Sequence, residues 1–137
     1  RGNQLAMAAG TVVMNRVSKP EFLEEVREKG KIIEERLLAL KAKTKIIGDV
    51  RAKGLMIGTE FVNPKGQPDG IGSLPTSGEI AAKVQKICFE NGFVAEKGGR
   101  GGSVMRCLCA LNITKDEINT AMDIFEKVVL QVAKEYE

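Results

Sequence analysis

The sequence predicts an α+β fold: a small antiparallel or mixed sheet covered on one side by helices. Three observations carry that prediction. Apolar residues recur at helical spacing in the long segments and at period two in the short runs between them. Helices open the chain, strands and helices then alternate, and a helix closes it. The 137 residues suit one domain, since domains usually run to roughly 100–150 residues.

The first helix is expected over 3–17, where Leu5, Ala6, Ala8, Ala9, Val12 and Val13 are good helix formers with many small side chains. Ser18-Lys19-Pro20-Glu21 reads as the next helix start, with Ser18 as cap, Glu21 three residues on and Pro20 in the first turn. The helix that follows places Leu23, Val26, Gly30, Ile33, Leu37 and Leu40 on one stripe, fit for a core or for a coiled-coil partner. Two strands follow at 46–50 and 55–62, with Gly48 and Gly54 as breaks or bulges. In the second, Leu55, Ile57, Thr59 and Phe61 share a face. Residues 63–77 are dense in Pro, Gly, Ser and Asp. A loop of that length in a compact domain is usually functional or mobile.

Helix returns over 78–91, with Ile80, Ala81, Val84, Ile87 and Cys88 inward and Asn91-Gly92 as the stop. Short strands are expected at 93–96 and 103–111, joined through Gly98-Gly99-Arg100-Gly101-Gly102. Thr114-Lys115-Asp116-Glu117 is a capping box. It opens a last helix with Ile118, Ala121, Met122, Phe125, Val128, Val129 and Val132 on its buried face.

Composition narrows the chemistry. A net charge of +3 spread along the chain does not suggest a nucleic-acid or anionic-membrane partner, and no apolar run approaches the ~20 residues of a membrane span. The absence of His removes the commonest general base and metal ligand. Three cysteines, Cys88, Cys107 and Cys109, make an odd set that argues for a reducing cytosol over a disulfide framework. Without a second pair they make a poor zinc site. All three read as core residues rather than nucleophiles.

Few side chains remain as site candidates. The 98–102 glycines lack the Lys-Ser/Thr ending of a phosphate-binding loop and read as a hairpin turn, with Arg100 at its tip. Glu60 and Glu96 fall in strand-like segments without a second acid at a recognisable spacing. Arg106 is the notable charge, because its neighbours in Val104-Met105-Arg106-Cys107-Leu108 are apolar. A guanidinium there must find a partner. It serves as a snorkelling edge-strand arginine, in a structural ion pair, or in the capture of a carboxylate ligand, for which a planar fork is suited.

Several stretches together resemble one family. Gly2-Asn3-Gln4-Leu5-Ala6, Val50-Arg51-Ala52-Lys53-Gly54-Leu55-Met56-Ile57-Gly58, and Val104-Met105-Arg106 followed by Leu108 and Ile113-Thr114 are similar to ordered motifs of the class III aminotransferases. These are fold-type-I enzymes dependent on pyridoxal 5′-phosphate. Asp69-Gly70-Ile71-Gly72-Ser73, Cys88-Phe89-Glu90-Asn91-Gly92 and Glu96-Lys97-Gly98-Gly99-Arg100 look most like diaminobutyrate–2-oxoglutarate transaminases. The resemblance covers essentially the whole chain.

It implies that 18–137 is the C-terminal small domain of the fold and that 1–17 is the helix leading into it from a large domain. It implies transfer of an amino group between L-2,4-diaminobutyrate and 2-oxoglutarate or L-glutamate, in a cytoplasmic parent enzyme that is a homodimer. Arg106 matches the residue that holds a substrate carboxylate. The Schiff-base lysine and the other cofactor-binding groups of the family belong to the large domain, so no catalytic or cofactor-binding role passes to residues here. The chain alone is expected to be an inactive piece without bound cofactor. Gln4 stands where Pro is usual, Asn112 stands at a commonly apolar position, and Cys109-Ala110 replaces Pro-Pro after the Arg106 strand, which loosens the restraint on that strand's exit. The rival expectation is a stand-alone α+β module, binding a ligand in the 63–77 loop or a protein along the 20–41 helix.

Overall fold

The computed structural model describes residues 2–137 and contains four α-helices and a four-stranded sheet. The order is α1 (Gln4–Val17), α2 (Pro20–Lys41), β1 (Ile47–Lys53), β2 (Met56–Phe61), α3 (Gly78–Glu90), β3 (Glu96–Gly98), β4 (Val104–Leu108) and α4 (Lys115–Tyr136). The sheet order is β1-β2-β4-β3, and every pairing is antiparallel. The α+β class therefore holds, with the sheet antiparallel rather than mixed.

Helices α2, α3 and α4 cover one sheet face. Period-two alternation sends Leu55, Ile57, Thr59 and Phe61 into that layer. They meet Ile33, Leu37 and Leu40 of α2, Ile80, Val84 and Cys88 of α3, and Ile118, Phe125, Val129 and Val132 of α4. Burying such side chains contributes roughly 1.5–3 kcal/mol each. Arg36 ties α2 to α4, with Nε donating to Glu126 and Nη2 to Asp123, each at 2.6 Å. The capping box of α4 forms as expected, with Glu117 N–H donating to Thr114 Oγ1 and Thr114 N–H donating back to Glu117 Oε2. Of the α2 stripe, Gly30, Ile33, Leu37 and Leu40 are buried against the rest of the fold.

Several boundaries differ from the sequence expectation. Ser18 does not cap α2: its hydroxyl donates to Met14 O at 2.7 Å and closes α1, while Lys19 takes the cap position before Pro20. Leu23 is exposed and Phe22 is buried in its place, because α1 packs little on the start of α2. Strand β1 runs on to Lys53, and Gly48 marks an irregularity in its register as expected. The third strand is Glu96–Gly98 and not 93–96, and β4 ends at Leu108, short of 111. Ala121 is only half-buried. Helix α1 carries no buried residue at all.

Candidate functional site

The sheet face opposite the helices is uncovered, and its charged residues fall into register there. Across the four strands one row reads Arg51, Gly58, Arg106, Glu96. The β1–β2 hairpin creates this row: Lys53 pairs with Met56 around Gly54-Leu55, with Gly54 at φ +55°, so Arg51 falls opposite Gly58. Strand neighbours lie about 4.8 Å apart, so a glycine between two arginines leaves a floor with a guanidinium on each side. The resulting hollow, of about 300 Å³, is lined by Arg51, Met56, Gly58, Val104, Arg106 and Leu108.

The two arginines are not equivalent. Arg51 is held on both sides, with Nη1 donating to Asp49 at 2.6 Å and Nη2 to Glu60 at 2.7 Å. These hydrogen bonds, Glu60 first and then Asp49, hold its already high pKa higher still. Arg106 makes one such bond among the described residues, from Nη2 to Glu96 Oε1 at 2.5 Å. A guanidinium has five N–H donors, so Arg106 keeps most of its fork available beside the hollow. Its side chain is 43% exposed. Met105 and Cys107 face the helices, and Arg106 faces out, where Glu96 supplies the partner expected for a guanidinium in an apolar run.

The other sequence candidates scatter. Glu60 and Glu96 each serve an arginine on the open face, and Glu60 lies opposite Asp49 in register with Arg51 bridging the two acids. Arg100 sits exposed in a short 3-10 turn whose glycines, Gly99, Gly101 and Gly102, adopt positive φ as a turn requires. Cys88 is buried on α3, and Cys107 and Cys109 are half-buried, all as free thiols. Burial pushes the Cys88 thiol up to about 11. Burial, and after it Cys109, pushes Cys107 up to about 12. Such thiols stay protonated at neutral pH and are inert as nucleophiles. Among the described residues no group of three His, Cys, Asp or Glu side chains is placed to hold a metal ion, and no helix is long and apolar enough to cross a membrane.

The loop at 63–77 is pinned by Asp69, whose Oδ1 accepts from the Ile71 and Ser73 N–H groups. Its Gly72, Ser73 and Leu74 border a second hollow, of about 540 Å³, that also touches Asp49, Arg51 and Glu60. Arg51 and Gly58 were not singled out from the sequence as site residues, and Gly98, read there as part of the hairpin turn, ends strand β3. The signal that finds Arg51 is the hairpin register itself, once Gly54-Leu55 is read as the turn.

Comparison with known proteins agrees with this fold. The sequence model described as aminotransferase class-III matches residues 1–129. A diaminobutyrate–2-oxoglutarate aminotransferase of Haemophilus influenzae is 37% identical over 134 residues, covering 98% of this chain and 30% of the relative. A namesake from Rhizobium meliloti is 42% identical over 119 residues, covering 87% of this chain and 25% of the relative. The chain thus spans under a third of the length of these relatives. Among solved structures, N-acetylornithine aminotransferase from Stenotrophomonas maltophilia aligns with a TM-score of 0.77 at 18% identity, covering 96% of this chain and 32% of that one. That likeness speaks for the fold.

Proposed function

Because this chain belongs to the class III aminotransferases, a family dependent on pyridoxal 5′-phosphate, we propose that it supplies the carboxylate-binding side of a transaminase. The parent enzyme moves an amino group between L-2,4-diaminobutyrate and 2-oxoglutarate, the substrates in the names of the relatives from H. influenzae and R. meliloti. Residues 18–137 act as its small domain and the 1–17 segment as the helix leading into it. A cytoplasmic homodimer is the setting that the family resemblance implies.

The observation that carries the reading is the unequal state of the two arginines. Arg51 is saturated by two carboxylates, whereas Arg106 turns a nearly free fork toward a hollow with a glycine floor. A substrate carboxylate displaces Glu96 and takes two parallel N–H bonds from Arg106, the geometry at which guanidinium outperforms ammonium. Met56, Val104 and Leu108 beside it offer apolar contact to a carbon chain.

The residues here do not fit the cofactor by themselves. By the family resemblance its Schiff-base lysine belongs to the large domain and no lysine here matches that motif, and the buried Lys29 is held by Glu25 on α2 at 2.5 Å. Its pyridine nitrogen needs a carboxylate, and the acids of the open face, Asp49, Glu60 and Glu96, are engaged by Arg51 and Arg106. No chemical step is therefore assigned to this chain, which on this reading does not turn over substrate alone. The test is an absorbance scan and transamination assay on the native-length protein with L-2,4-diaminobutyrate and 2-oxoglutarate. Bound cofactor absorbing in the visible, with L-glutamate formed, is the expected result. A native-length protein with neither signal contradicts the reading.

A further inference from the structure

Arg106 lies over a surface that only glycine can provide. We propose that Gly98 is a positioning residue for substrate carboxylate binding, the seat on which the Arg106 guanidinium rests; the inference deepens the transaminase reading and rests on it. A Cβ built at Gly98 would lie 2.9 Å from each of Cζ, Nε and Nη2 of Arg106, and these are its three nearest heavy atoms. Cβ atoms essentially never approach so closely, so a side chain at 98 obliges the guanidinium, the mobile end of a flexible side chain, to shift from this position.

Backbone conformation does not explain the glycine. Gly99, Gly101 and Gly102 next to it have positive φ, but Gly98 does not; it is a regular strand residue paired with Val104. Gly98 is the last residue of β3, and a glycine in a strand often marks a close approach by another group. Here the approaching group is the Arg106 side chain. Two residues earlier on the same strand, Glu96 holds Nη2 from the side. Strand β3 thus offers a floor at Gly98 and a carboxylate stop at Glu96. Together they fix the guanidinium plane before a ligand arrives, and preorganisation of this kind lowers the ordering cost of binding. Glu96 shapes the same seat from the other direction, because it occupies the donor that a substrate carboxylate must take over.

The test is a double-mutant cycle on the native-length, cofactor-loaded protein with Gly98→Ala, Arg106→Gln and both together. It reads KM and kcat for 2-oxoglutarate, the affinity for 2-oxoglutarate by calorimetry, and the melting temperature. Gly98→Ala is expected to raise KM and weaken affinity on the order of tenfold to a hundredfold, the scale set by misplacing a binding group by about 1 Å. In that variant kcat changes far less, as for loss of ground-state binding. In the Arg106→Gln background the same glycine substitution is expected to change little further, because two of the three atoms it meets, Cζ and Nη2, are gone. Wild-type KM and affinity in Gly98→Ala overturn the proposal, as does an equal penalty in both backgrounds or failure to fold in both. Folding only in the Arg106→Gln background supports it. If Arg106→Gln itself leaves 2-oxoglutarate binding intact, the underlying carboxylate reading fails and this proposal falls with it. If Arg106→Gln impairs binding and Gly98→Ala does not, the seat alone is refuted.

Discussion

Two thiols are held neutral by their surroundings, and that gives the protein a readable alkaline limit. Cys88 is pushed up to about 11 by burial, and Cys107 to about 12 by burial and then by Cys109, against an ordinary value of 9.0. In the unfolded chain these thiols ionise near that ordinary value. Their contribution to stability is thus fully present below about pH 9 and is lost as pH rises through the folded values. Urea midpoints measured from pH 8 to 12 should fall with pH, and Cys107→Ala should flatten part of that fall relative to the parent. An identical pH profile in the variant would contradict the assignment. The same burial makes slow alkylation at neutral pH the natural behaviour of Cys88, whose side chain is fully enclosed.

Close approach between elements is set by glycine at another place. Gly30 on α2 faces the β1–β2 turn, and a Cβ there would lie 2.3 Å from Gly54 O. That neighbour is backbone, so Gly30→Ala forces the helix off the hairpin and should destabilise by about 1–3 kcal/mol. Gly10 on α1 meets nothing within 4 Å, so Gly10→Ala should be neutral or slightly stabilising. Equal urea midpoints for the two variants would refute this packing account. Elements with local signals were legible in the sequence: α4 announces itself by its capping box and its stripe, and α3 by its stripe and Asn91-Gly92. Ser18 was misread because a hydroxyl between two helices suits either one, and only Pro20 and the Met14 carbonyl decide. Strand β3 was misplaced because Phe93 and Val94 have the higher strand propensity. Glu96, Lys97 and Gly98 become a strand only by pairing with β4.

At the scale of the molecule, helices on one sheet face leave the other free to carry charge. The apolar run around Arg106 left open whether its strand is covered on both faces; Val104 and Leu108 share its outward side, and Leu108 is 55% exposed. Composition could not separate those cases, because an uncovered face and a buried one can carry the same apolar residues until the partner layer is known. The ion pair and the carboxylate role were weighed from the sequence as alternatives; the structure shows the pair with Glu96, and the spare donors leave room for the second role. The row formed by Arg51, Gly58, Arg106 and Glu96 depends on register across four strands, which no local pattern reveals. The most direct test of the carboxylate claim is the 2-oxoglutarate KM of the native-length enzyme with Arg106→Gln, set beside Arg51→Gln. The account predicts a rise of about a hundredfold for Arg106→Gln, corresponding to loss of a charge-assisted carboxylate pair of about 2.7 kcal/mol. It predicts a smaller effect for Arg51→Gln, whose donors are already taken by Asp49 and Glu60. An unchanged KM in Arg106→Gln, or a larger rise in Arg51→Gln, would contradict it.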